Sequence, residues 1–289
     1  MPILIQHDEL FDRLTAERFA ADRGTTAATR TVVLDVRWSL AEPDGTAAYW
    51  DGHIPGAVYV DLDRQLADHD VVGEGRHPLP SEAAFTEAMR SWGIREGDTV
   101  VVTDDLGNQS AARAWWLLRH AGVADVRMLD GALAAWRAAG HPLDRGWVSP
   151  EPGDVTAHFG GMPVIDADTA AALPGGGVLF DARAAERYRG EVEPIDPRAG
   201  HIPGARSAPS SGNLDASGRF LPADALRERF AALGAEPGTA VGAYCGSGVT
   251  AAHAVAALAI AGIDAALFPG SWSQWSREDG RPVATGPDA

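Results

Sequence analysis

Gly52-His53-Ile54-Pro55-Gly56-Ala57 returns unchanged as Gly200-His201-Ile202-Pro203-Gly204-Ala205, an offset of 148 residues. A repeated hexapeptide asks whether its surroundings repeat too. Upstream, Val32-Val33-Leu34-Asp35-Val36-Arg37 is echoed by Val178-Leu179-Phe180-Asp181-Ala182-Arg183, offset by 146. Downstream, Ser110 through Gly122 matches Thr250 through Gly262, offset by 140. Asp130-Gly131 through Trp136 matches Pro269-Gly270 through Trp275, offset by 139. Four matches in one order with similar offsets make the chain a tandem duplication. A period near 140 suits an independent domain and is far too long for a solenoid unit.

Pro and Gly concentrate in His141–His158, with no apolar periodicity, so the boundary is expected there, between domains at 1–145 and 155–289. Within each half, short β-branched runs alternate with helical patterns. Residues 31–36, 99–103, 126–129, 178–182, 239–243 and 265–268 read as strands. Residues 110–120 and 250–261 read as helices, stopped by Gly122 and Gly262. Such alternation predicts an α/β fold: two tandem domains, each a parallel sheet with helices on both faces.

The 289 residues are 45% hydrophobic and 22% charged, in the globular range. A formal charge of −16 repels phosphate backbones, which argues against nucleic acid as a partner. Every basic residue is Arg; without Lys, Schiff-base chemistry and a lysine-bearing P-loop are excluded. A single cysteine forbids an intramolecular disulfide and a Cys-cluster metal site. The start, MPILIQHDELFDRL, lacks the pattern of a secretory signal, and the longest apolar run falls short of about 20 residues, so no membrane segment is expected. A cytoplasmic protein is the expectation.

The cysteine, Cys245, lies in Ala243-Tyr244-Cys245-Gly246-Ser247-Gly248-Val249-Thr250, between a predicted strand and a predicted helix. Open α/β sheets place ligands at that carboxyl end of a strand. Two glycines let the loop curl with amides pointing inward, and the helix start adds unpaired donors and partial positive charge. Such a cradle favours the thiolate, the nucleophilic form. Aligned on the helices, Cys245 falls opposite Asp105, which cannot be a sulfur nucleophile; chemistry is therefore expected in the second half. No arginine occurs among the six residues after Cys245, which argues against a cysteine phosphatase.

These motifs together, the paired Asp-x-Arg strands, the Gly-His-Ile-Pro-Gly-Ala loops, Cys-Gly-Ser-Gly-Val-Thr and Gly-Ser-Trp-x-x-Trp, resemble the two-domain rhodanese sulfurtransferases over essentially the whole chain. The cysteine loop is most similar to the 3-mercaptopyruvate branch, since thiosulfate enzymes of the family carry basic residues there. The resemblance implies two rhodanese-like domains, the first without a catalytic cysteine. It implies transfer of a sulfane sulfur from a small-molecule donor, 3-mercaptopyruvate, through a Cys245 persulfide to a thiol such as thioredoxin or to cyanide. No metal or organic cofactor is implied. Gly246, Gly248, Val249 and Thr250 would line the donor's reacting end. Arg187 matches the family's carboxylate-binding arginine; strict counting puts the second on Asp196, which leaves Arg198 as the nearest candidate. A Ser-His-Asp relay would comprise Ser247, His77 and Asp63, the last two from the first half. Two alternatives stay open: a thiosulfate:cyanide sulfurtransferase, and a non-enzymatic sulfur carrier or protein-binding module. His53, His201, Asp35 and Asp181, present in both copies, are expected to be scaffold.

Overall fold

Strands buried on both faces read as continuous apolar runs, and Thr31–Asp35 and Thr99–Thr103 have that character. In the computed structural model, which describes residues 2–24 and 29–287, they are central strands of a five-stranded parallel sheet. We number the strands β1 (Leu4–Ile5), β2 (Thr31–Asp35), β3 (Val58–Tyr59), β4 (Thr99–Thr103) and β5 (Asp125–Leu129), in spatial order β1-β5-β4-β2-β3. The second sheet contains β6 (Gly177–Asp181), β7 (Arg206–Ser207), β8 (Ala240–Tyr244) and β9 (Ala266–Leu267), in order β7-β6-β8-β9, again parallel. A parallel bridge from Val164 to Leu267 stands where β1 pairs with β5 in the first copy. Six predicted strands are present to within two residues at either end. The two-residue edge strands β1, β3 and β7 are too short to show a sequence period.

The chain forms two units. One contains the residues up to Leu66, Pro80–Gly161 and Ala216–Arg219; the other contains Ala67–Leu79, Met162–Asp215 and the residues from Phe220 onward. The single cut expected between residues 145 and 155 differs from this in two ways. The Pro- and Gly-rich connector is an extended strap on the first unit. There Gly153 N donates to Arg90 O (2.8 Å), Asp154 N to Ile94 O (3.1 Å) and His158 N to Ala121 O (3.0 Å). Backbone amides must find partners, and carbonyls at helix ends are unpaired acceptors, so an aperiodic segment can still be ordered. Moreover, Ala67–Leu79, from the first sequence repeat, belongs to the second unit.

Each Asp-x-Arg motif makes the same buried pair. Arg37 Nε and Nη2 donate to the two Asp35 oxygens (2.7 and 2.9 Å), and Arg183 makes the matching bonds to Asp181. Each guanidinium also donates to the first carbonyl of the repeated loop, Arg37 to Gly52 O (2.8 Å) and Arg183 to Gly200 O (2.6 Å). The loop histidines take scaffold positions in both copies. His53 is bonded to Tyr49 O and stacked on Tyr49; His201 is bonded to Tyr188 O and stacked on Tyr188. The tyrosine hydroxyls close the loop on Ala57 O and Ala205 O (2.6 and 2.7 Å). Burial pushes the Asp35 carboxyl up to about 6, against the pull of Arg37. Trp115, Trp116 and Trp136 are fully buried.

Breaking a buried ion pair leaves an uncompensated charge, which costs about 3–5 kcal/mol. Asp35→Asn is therefore expected to destabilise the protein by roughly that amount, read as a fall in the urea midpoint. A change below 1 kcal/mol would contradict this account of the motif.

Candidate active site

β8 ends at Tyr244, and the next residue, Cys245, starts the loop leading to the helix Val249–Ile260. Gly248 caps that helix with φ +82°, a left-handed conformation that glycine adopts without strain. In this turn the Gly248 amide donates to Cys245 Sγ at 3.2 Å. The loop is pinned from below by the turn after β9. Cys245 N donates to Ser271 Oγ (3.1 Å), Cys245 O accepts from Trp272 N (3.0 Å), and Gly246 O accepts from Ser273 N (2.8 Å). Ser271 itself is left-handed, φ +53°. Cys245 is 3% exposed, so its sulfur is withdrawn from bulk water but faces an amide donor.

The first copy shows what this loop can hold. Tyr244 pairs with Asp181 in the sheet, and Thr103 pairs with Asp35, so the residue after Thr103 corresponds to Cys245. That residue is Asp104. Its carbonyl accepts from Leu133 N (2.9 Å), as that of Cys245 does from Trp272 N. The expected counterpart, Asp105, is off by one because the stretch from strand end to helix end is one residue longer in the first copy, Thr103 to His120 against Tyr244 to Ile260. The buried Asp104 carboxylate accepts from the amides of Leu106 (2.9 Å), Asn108 (2.8 Å), Ser110 (2.9 Å) and Ala111 (3.0 Å). Burial raises its pKa while those amides pull it back. The loop is thus an anion cradle, filled in the first unit by its own carboxylate and offered in the second to a sulfur.

Around Cys245 the second unit gathers several predicted residues. Ser247 Oγ and His77 Nδ1 are 2.7 Å apart, and both residues are buried. His77 comes from the Ala67–Leu79 segment, so this bond lies within the second unit. Asp63 belongs to the first unit, half-buried on the short helix Leu62–Gln65. Arg187, at the end of the helix Ala185–Tyr188, donates through Nη2 to Glu193 Oε1 (2.6 Å). Its Nη1 lies 3.5 Å from where a Cβ on Gly246 would stand. Val249 and Thr250 form the first turn of the helix.

Arg198 does not join this group. Its guanidinium donates to the carbonyls of Ser276 (2.8 Å), Arg281 (2.7 Å), Trp275 (2.7 Å) and Glu278 (3.2 Å), tying down the chain beyond the helix Ser271–Trp275. Sequence proximity suggested a ligand; the backbone acceptors make it a structural brace. In the first unit, His7, Asp8 and His141 place one ligand atom each within 4.8 Å of one another.

A sulfur beside a helix N-terminus, with a hydroxyl–imidazole pair in the same loop and a guanidinium beside Gly246, can accept and hold a transferable group. The rhodanese-like domain family matches residues 15–139 and 166–278. This chain belongs to the rhodanese family. Within that family it is 52% identical to SseB of Mycobacterium tuberculosis, named as a thiosulfate sulfurtransferase, over 88% of this chain and 90% of that one. It is 48% identical to a Pseudomonas aeruginosa protein named as a 3-mercaptopyruvate sulfurtransferase, over 94% and 98% of the two chains. Among solved structures, Escherichia coli SseA, a 3-mercaptopyruvate sulfurtransferase, superposes with a TM-score of 0.80 at 30% identity, covering 94% of this chain and all of that one. The rhodanese chain described here is accordingly an enzyme, a sulfurtransferase acting on a small-molecule sulfur donor and an acceptor. Among the described residues, no helix is long and apolar enough to cross a membrane.

The cradle depends on Gly248. A Cβ there would stand 2.4 Å from Pro269 O, in a conformation that L-residues rarely adopt. Gly248→Ala is expected to turn the amide away from Cys245 and to cost about 1–3 kcal/mol of stability. Intact-protein mass after donor treatment checks the chemical half, the variant retaining little added sulfur. Wild-type sulfur loading at wild-type melting temperature would refute the role given to this amide.

Proposed function

We propose that the enzyme takes the sulfur of 3-mercaptopyruvate onto Cys245 and passes it to a thiol, such as thioredoxin, or to cyanide. The Cys245 thiolate attacks the donor sulfur, an S–S bond forms, and the carbon–sulfur bond breaks with its electron pair going to carbon. The carbon fragment is the enolate of pyruvate, which needs a proton. The proton on the donor thiol must leave sulfur, so one proton moves from sulfur to carbon with no oxidant or reductant. A nucleophilic acceptor then attacks the outer sulfur and restores the thiolate. Dividing one transfer into two steps is covalent catalysis.

The single observation that carries the choice of donor is the 2.7 Å contact between Ser247 Oγ and His77 Nδ1, two residues from the sulfur. A hydroxyl hydrogen-bonded to imidazole can relay the proton that mercaptopyruvate must move. Thiosulfate releases sulfite without any proton transfer, so the pair serves no step with that donor. Arg187 binds the donor carboxylate, a task suited to a permanently charged planar fork. The loop from Gly246 through Gly248, Val249 and Thr250 receives the transferred sulfur and its charge. A cysteine that must stay reduced between turnovers suits a reducing compartment, and a cytoplasmic location is part of this reading.

Thiosulfate as donor is the second reading, favoured by the 52% identity to SseB. Side-by-side steady-state assays separate the two. Cys245→Ser is expected to abolish turnover with both donors. His77→Ala is expected to lower kcat with mercaptopyruvate by roughly 10²–10⁴, the range for a positioned acid–base group, and to change thiosulfate turnover far less. Equal losses with both donors would remove the proton-relay argument and leave thiosulfate as the better reading.

A further inference from the structure

We infer that Arg76 is the second carboxylate-binding guanidinium of the donor site, in the place where position-by-position matching leaves Asp196. The inference rests on the mercaptopyruvate reading and deepens it. The Arg76 guanidinium stands beside the cysteine loop, Nη2 lying 3.1 Å from where a Cβ on Gly246 would be. Arg187 Nη1 approaches the same point at 3.5 Å, so two cations converge on the residue next to Cys245. The Nε atoms of Arg76 and of Arg187 are both buried without a hydrogen-bond partner. Arg198 is the contrast within the same unit, with its guanidinium committed to four carbonyls.

The backbone holds Arg76 in this place. Gly75 has φ +90°, and a Cβ on it would meet Gly270 O at 2.5 Å, so only glycine lets the segment lie this close to the turn below Cys245. Arg76 N donates to Ser273 Oγ (3.0 Å), and the next residue is His77, bonded to Ser247. Asp196 then anchors the side chain: its carboxylate, fully buried, accepts from Arg76 Nη1 and lies 3.7 Å from Arg187 Nη2 and 3.3 Å from Arg277 Nη1. Glu193 joins Arg187 to Arg183 (2.6 and 3.2 Å), and Arg183 is paired with Asp181. In this network four guanidiniums face three carboxylates, a surplus of one positive charge that suits a monocarboxylate. Mercaptopyruvate carries its carboxylate two carbons from the reacting sulfur. With sulfur at Cys245, that charge reaches beyond the cradle toward the neighbouring guanidiniums. In thiosulfate the charge is on the transferred sulfur and on oxygens one bond beyond the sulfur attached to it, so it stays close to the cradle.

The test compares wild type, Arg187→Ala, Arg76→Ala and Arg76→Lys with both donors, using pyruvate as a sulfur-free carboxylate inhibitor. With wild type and Arg187→Ala as the control pair, Arg76→Ala is expected to lower the mercaptopyruvate-to-thiosulfate ratio of kcat/KM by about tenfold or more, chiefly through KM. Pyruvate inhibition should weaken in parallel. Arg76→Lys keeps a charge opposite Asp196 without the planar fork, so it should hold the wild-type Tm and recover only part of the loss. If Arg76→Ala fails to fold, the lysine variant decides alone, an unchanged KM for mercaptopyruvate overturning the assignment. A ratio within twofold of wild type in Arg76→Ala, while Arg187→Ala falls, overturns Arg76 and spares the donor reading. A wild-type preference for thiosulfate, with Arg187→Ala losing both donors equally, overturns the donor reading and this assignment with it.

Discussion

The buried Asp–Arg pair at the end of a central strand is the constraint from which the rest of each unit follows. A carboxylate and a guanidinium out of water stabilise one another only when their remaining donors and acceptors are satisfied. Arg37 and Arg183 meet that condition by reaching Gly52 O and Gly200 O. The repeated loop is thereby fixed against the carboxyl end of the sheet, where the reactive loop begins. His53 and His201, stacked on their tyrosines, complete the same bracket. That is why these residues persist in a copy that holds no cysteine.

From a shared scaffold the two units diverge in what fills the cradle. In the second, the scaffold pair extends outward: Asp181 to Arg183, Arg183 to Glu193, Glu193 to Arg187. Glu193 Oε1 also accepts from the amides of Ile195 and Asp196 (3.3 and 3.2 Å), so the segment carrying Asp196 is folded around a buried carboxylate. In the first unit, Arg37 meets Asp105 at 3.6 Å, and Asp104 occupies the amides that would receive a ligand. A carboxylate bonded to four amides leaves little for an incoming anion. One copy kept the anion-binding geometry and closed it with its own side chain.

Most strands, the helices that follow β4 and β8, and the family are legible in the sequence, because β-branched runs, glycine stops and repeated motifs are local signals. Helix alignment matches Cys245 with Asp105 for a plain reason: a one-residue difference between strand end and helix end is invisible to an offset taken from the helix, whereas sheet pairing counts from the strand. Distance along the chain from Arg187 singles out Arg198, but the carbonyls that hold its guanidinium come from some 80 residues away. Nothing local marks Arg76, whose carboxylate partner is 120 positions off.

By itself the sequence determined a duplicated α/β chain, a single cysteine placed at a strand-to-helix turn in the second copy only, and a loop without cationic side chains. Those are properties of composition, order and short-range periodicity. The tertiary structure alone decided that Ala67–Leu79 leaves its own repeat to join the other unit, carrying Arg76 and His77 to the cysteine loop. The reason is physical: a buried carboxylate and a hydroxyl select partners by distance in space, and the glycine that permits the approach is recognisable only once the turn beneath it has formed.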